Sequence, residues 1–190
     1  MSPFEFVAVL ISIILGLGIT QIMSGLADLI HQWKDVRLYW PHLAWITLVF
    51  ILHVQDWWLL YQLRDITTWQ LPLFLFQVLY PISLFILARL LFPLTGDPNA
   101  TNMKSYYLAN YRKFFAMTMV LALLSAAENI LFHHLGTEGW LINAALFFGL
   151  YFLFSKPQLP ERVHQVLSIL LVIVMLAGIL YNVNDWLISS

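Results

Sequence analysis

Residues 42–63 read HLAWITLVFILHVQDWWLLYQL, and the fold turns on how that stretch is understood. It is long enough to cross a bilayer, since about 20 residues rising roughly 1.5 Å each span a hydrocarbon core of about 30 Å. Yet it carries His53, Gln55 and Asp56 inside its apolar length. A helix in water can turn such groups outward. A helix in lipid cannot do so cheaply, because an ionisable side chain near mid-bilayer costs about 3 kcal/mol on insertion scales. The stretch therefore predicts a membrane span whose polar residues face the interior of a bundle.

Composition points the same way. Of 190 residues 61% are hydrophobic and only 10% charged, against about 45–50% and about 25% in ordinary soluble domains. The chain reads as an integral membrane protein with the lipid bilayer as its surroundings. No basic run or interleaved aromatic patch points to a nucleic-acid partner. With no cysteine, disulfides, thiolate metal sites and cysteine nucleophiles are excluded. The opening MSPFEFVAVLISIILGLGITQIM has neither a basic n-region nor an A-x-A cleavage signal, so it is expected to be a retained first span.

Working outward, the apolar runs predict an all-α, polytopic bundle of six transmembrane helices forming a single domain over residues 1–190. The spans fall at about 4–30, 40–63, 69–92, 114–134, 140–154 and 163–188. Pro81 lies inside the third and is expected to bend it. The connection PLTGDPNATNMKSYYLAN, residues 93–110, has turn chemistry in Gly96, Asp97, Pro98 and Asn99. Tyr106, Tyr107, Tyr111, Arg112 and Lys113 then read as an interfacial helix feeding span four.

Lys34, Arg37, Arg89, Lys104, Arg112, Lys113, Lys156 and Arg162 all flank connections one, three and five, and only Arg64 lies at the other end. The positive-inside rule places those connections in the cytoplasm and both termini outside, as in a bacterial inner (plasma) membrane. Polar residues then sort by depth. His53, Gln55 and Asp56 of span two, Glu128 and Asn129 of span four, Asn143 of span five, and Asn182, Asn184 and Asp185 of span six share the outer half.

On span two, His53 and Asp56 are three residues apart on one helical face, and on span four Ser125, Glu128 and Asn129 make a comparable run. The sharp expectation is that His53, Asp56 and Glu128, with Gln55 and Asn129, converge on a hydrated proton or cation pathway. The plain alternative is interhelical glue, each polar group hydrogen-bonded within the bundle. Span one carries Gly18, Gln21, Gly25 and Asp28 at three, four and three spacing. Small residues let backbones approach closely, so this face is either a helix seam or an inner-half lining.

Haem ligation needs two imidazoles at matching depth on facing helices. His42 and His53 lie on one face of one helix, about 16 Å apart by helical rise, so no cofactor is expected, and a haem-binding redox component remains the alternative. His133 and His134 are the remaining metal-ligand candidates, and adjacent histidines do not share a helical face. Trp33, Tyr39, Trp40, Tyr61, Trp69, Tyr106, Tyr107, Trp140 and Trp186 mark an aromatic belt at span ends. No phosphate loop, nucleophile elbow or HExxH motif is present, so catalytic residues are not indicated. The expectation is a small, homo-oligomeric channel or transporter passing or exchanging protons or small cations. A non-transporting scaffold or sensor subunit is the third class.

Overall fold

A computed structural model describes residues 2–66, 68–94, 96–132 and 137–181. Those residues are all-helical, with six α-helices: α1 Pro3–His31, α2 Trp40–Leu60, α3 Leu71–Leu90, α4 Met103–Phe132, α5 Thr137–Phe154 and α6 Glu161–Tyr181. A 3-10 turn, Tyr61–Asp65, continues α2. Five of the helices are long and apolar enough to cross a membrane. Their exposed faces are as apolar as their buried ones (Phe6, Ile13, Leu17, Leu75 and Ile173 all point outward). A water-soluble bundle would put charge there. The architecture is compatible with an integral membrane protein.

Helix starts follow local chemistry. Ser2 and Glu5 form a reciprocal capping box on α1, with Pro3 in the first turn. Pro41 and Pro72 open α2 and α3, where a missing N–H costs nothing. The Asn102 side chain accepts from the backbone N–H groups of Lys104 and Ser105, starting α4 eleven residues before the expected span at residue 114. The predicted interfacial helix is thus the first turns of α4 itself. Gly96 takes a φ of +87° in the turn between α3 and α4, a conformation that favours glycine.

The buried stripe of α1 runs Val7, Ile11, Leu15, Gly18, Ile22, Gly25 and Leu29, at the three-and-four spacing of one helical face. It packs on α2 and α3. Gly18 meets the His53 ring and Gly25 meets Phe92, each so closely that a Cβ would have no room. This is small-residue packing, which draws apolar helices together where no hydrophobic effect operates between them.

The connections carrying most of the basic residues gather at one end. Arg37 N–H donates to Thr101 O at 2.9 Å and Met103 N–H to Arg37 O at 3.0 Å. Lys104 pairs with Glu161 at 2.7 Å, and Arg112 donates to Phe154 O at 2.7 Å while covering the Phe154 ring. We call this the basic end, and the opposite one, reached by the last turns of α2 and α4, the acidic end. The α3 C-terminus stops at the basic end, where its orphan carbonyls need donors. His42 Nε2–H donates to Leu91 O and Tyr106 O–H to Leu90 O, both at 2.7 Å.

The second half of the bundle is looser. α5 packs along α4, and α6 packs along α2. Among the described residues, no Cα of α5 comes within 8 Å of one in α6.

Candidate functional site

A cavity of about 1390 Å³ is bounded mainly by α2, α4, α5 and α6, and among the described residues the last two do not pack on each other. Most of its wall is apolar, with Leu48, Leu52, Leu146, Leu150, Leu171 and Val174 facing in. Towards the acidic end it turns polar, where Gln55, Asp56, Gln77, Ser125, Glu128 and Asn129 line it. Asp56 lies one turn from the end of α2 and Glu128 one turn from the end of α4. The two helices run in the same direction from the basic end, so their last turns carry the acids to one depth.

The carboxylates of Asp56 and Glu128 are close enough to feel each other's charge. Tyr80 lies within electrostatic reach of both, and the Gln77 amide is within hydrogen-bonding reach of Glu128. Asp56 Oδ2, Glu128 Oε1, Gln77 Oε1 and Asn129 Nδ2 are buried and have no hydrogen-bond partner among the described residues. Three of those four atoms are acceptors. No Lys or Arg lines the cavity. Two carboxylates beside a largely apolar chamber with no Lys or Arg among its described lining need positive charge from elsewhere, as a shared proton or a bound cation.

Ser125 and Asn143 brace the wall beside the acids, the Asn143 amide donating to the Ser125 hydroxyl at 3.0 Å across α4 and α5. Thr118 lies deeper on α4 and gives its hydroxyl to Phe114 O at 2.8 Å. It therefore presents no free donor to the chamber.

His53 does not join this group. It is fully buried, its Nδ1–H donating to Val49 O at 2.7 Å and its ring covering Gly18 of α1. The expected trio of His53, Asp56 and Glu128 is therefore a pair of acids plus Gln77 and Tyr80, and the histidine belongs to the α1–α2 seam. Three residues of separation on α2 leave a rotation of about 60° between two side chains, enough to aim them at different neighbours. Gln21 is half-buried and Asp28 exposed, and neither lines the chamber. Gly18 and Gly25 serve the seam. His133, His134, Asn182, Asn184, Asp185 and Trp186 lie outside the described residues.

Sequence reasoning missed Gln77 and Tyr80. A signal existed: Pro81 has no N–H to offer its i−4 acceptor, which is the Gln77 carbonyl. The break in the ladder and the two polar side chains beside it are one locus on α3, which runs through Pro81 as a helix.

A second polar cluster, also unforeseen, lies towards the basic end. His164 is fully buried under Tyr107, Tyr111 and Phe115, with centroid distances of 5.3, 4.6 and 6.2 Å. Tyr107 Oη lies 3.4 Å from His164 Nδ1, and the Ser168 hydroxyl donates to His164 O at 2.9 Å. His42 stacks on Phe114 at 6.1 Å. At Tyr39, just ahead of α2, burial and then the Glu161 carboxylate push the phenol above its usual value. His42 and His53, the imidazoles weighed for haem, are each turned to a different neighbour, Leu91 and Gly18. Among the described residues no three His, Asp or Glu side chains are grouped to hold a metal ion.

Comparison of the chain with protein-family models, with curated proteins and with solved structures finds no match.

Proposed function

We propose that this protein passes or exchanges protons or small cations across a membrane, with Asp56 and Glu128 as the binding pair. One observation carries this reading. Two acids from separate helices line one large chamber, each with an oxygen unpartnered among the described residues, and no Lys or Arg lines it. Gln77 and Tyr80 border the pair, and Gln55 and Asn129 add polar surface to the same end of the chamber. A non-transporting scaffold calls for every buried polar atom to be paired within the bundle. The gathering of three acceptors, on Asp56, Glu128 and Gln77, that lack partners among the described residues at one end of the chamber favours the cation site over it.

Further features support the setting. α5 has 18 residues, about 27 Å of helical rise, enough to serve as a sixth span. Eight of nine basic residues flank connections one, three and five, which favours a cytoplasmic basic end and outward termini in a bacterial inner membrane. Glu5, Asp56, Asp65, Glu128, Glu138 and Asp185 then belong to the outer half, and such an excess of acid raises the local cation concentration at the mouth. The open side between α5 and α6 favours a homo-oligomer that completes the wall.

The test is flux. Purified protein in liposomes is expected to dissipate a proton or monovalent-cation gradient. Asp56→Asn combined with Glu128→Gln is expected to abolish that flux while the protein elutes as wild type. Equal flux from the double variant refutes the proposal.

A further inference from the structure

The chamber is larger and more apolar than a bare cation requires. A water-sized guest occupies about 30 Å³, and small-molecule sites in proteins run from about 300 to 1000 Å³. This chamber, at about 1390 Å³, exceeds both. An inorganic ion in such a space needs a train of waters, and leucine walls give those waters nothing to bond. Its polar groups are gathered at one end. Gln77 is 8% exposed and lines the chamber, and its Oε1 has no hydrogen-bond partner among the described residues. With Asp56 and Glu128 it makes a cluster of acceptors, which selects a guest that brings positive charge. Along the rest of its length the chamber offers contact to hydrocarbon, and its side between α5 and α6 is not closed by helix packing.

We infer that the guest of this chamber is a lipophilic organic cation, with its charged centre at Asp56, Glu128 and Gln77 and its apolar body along α5 and α6. This rests on the reading of the two acids as a cation site, and it names the substrate class of that site. Charge complementarity sets one end of the guest, and wall chemistry and volume set the other. Entry from the bilayer between α5 and α6 needs no aqueous pore. Gly149 lines the apolar part and has open space where a side chain would stand, so that part of the chamber can be narrowed without touching the acids.

The experiment is binding of tetraphenylphosphonium to the full-length protein in nanodiscs, followed by calorimetry. Tetramethylammonium and the uncharged triphenylphosphine oxide serve as controls. Tetraphenylphosphonium is expected to bind more tightly than either. Asp56→Asn and Glu128→Gln are each expected to weaken it about tenfold or more. Gly149→Trp is expected to weaken tetraphenylphosphonium by a similar factor and to leave tetramethylammonium within about twofold. Size-exclusion elution and helical content unchanged from wild type confirm that each variant is folded. Equal binding of the uncharged compound, or full binding to the acid variants, overturns the inference in favour of a lipid tail. Absence of tetraphenylphosphonium binding in a dimeric protein overturns it in favour of a second copy. Acid-dependent proton or sodium flux without tetraphenylphosphonium binding overturns the substrate class and leaves the cation site standing. Loss of both removes the two together.

Discussion

The two ends of this bundle bury polar groups of different kinds, aromatic and imidazole rings at one and carboxylates beside a cavity at the other. At the basic end His42, Tyr106, Tyr107 and His164 are packed among rings, and the free carbonyls of Leu90 and Leu91 receive donors from Tyr106 and His42. At the acidic end Asp56, Glu128 and Gln77 line a cavity, each with an acceptor atom unpartnered among the described residues, while at the basic end His42 Nδ1 and His164 Nε2 have no partner among them either. The first arrangement spends polarity on closing a helix terminus and locking α2, α3 and α4 together. The second lines a cavity with it, as the proposed cation site requires. An unsatisfied buried group costs about 1–3 kcal/mol, and both ends carry some among the described residues; the acidic end differs in that two of its groups are carboxylates beside a cavity.

The largest test of this contrast is functional. Glu128→Gln alone is expected to lower cation or proton flux in liposomes about a hundredfold, with the thermal midpoint in detergent unchanged or raised. A large drop in the midpoint would mean that the acid is structural, and the contrast between the ends would dissolve. At the basic end the effects should be reversed. His42→Ala strands the Leu91 carbonyl and leaves a hole beside Phe114, so we expect a loss of about 3 kcal/mol in unfolding free energy. Flux per folded molecule should stay near wild type, and a selective loss of flux would move the pathway to the aromatic cluster.

Gly18→Val sharpens the boundary between the two. The added methyl groups meet the His53 ring, and about 2 kcal/mol of destabilisation is expected from overpacking the seam. Because His53 serves the seam, cation binding at Asp56 should keep its affinity, as calorimetry on the surviving folded protein will show. Smallest of all, Lys104→Ala removes an ion pair whose two side chains are 46% and 40% exposed. Less than about 1 kcal/mol should be lost, and a bigger fall in the denaturation midpoint would give the surface of the basic end a weight that we assign to its interior.

Hydropathy made the helices legible, because a span is a property of a run of residues and needs no partner. The start of α4 was less so, since the Asn102 cap opens it eleven residues ahead of the expected span. Depth was legible too, so Asp56 and Glu128 could be set at one level from charge bias alone. Direction around the helix axis was not. His53 and Asp56 share a face in a wheel drawn from spacing, yet α1 takes the histidine and α4 the acid, a choice made by which helix packs on which side. Gln77 and Tyr80 were hidden for a similar reason, as single polar residues in an apolar run whose company comes from other helices. His164 is covered by Tyr107 and Tyr111, more than fifty residues away in sequence, company that no local pattern announces.

The docking of α6 has a further consequence. Its backbone rests on α2, it meets α4 through His164 and Glu161 at one end, and 11% of its apolar window is buried against 28–39% in the other four candidate spans. A helix supported on one flank yields first when hydrocarbon thickness and helix length disagree, and tilt is the usual response. Swapping short-chain for long-chain phospholipids is therefore expected to change the tilt of α6 and the spacing between it and α5. Under the proposed lateral entry, acyl length would then set the rate of binding with no change in the protein itself.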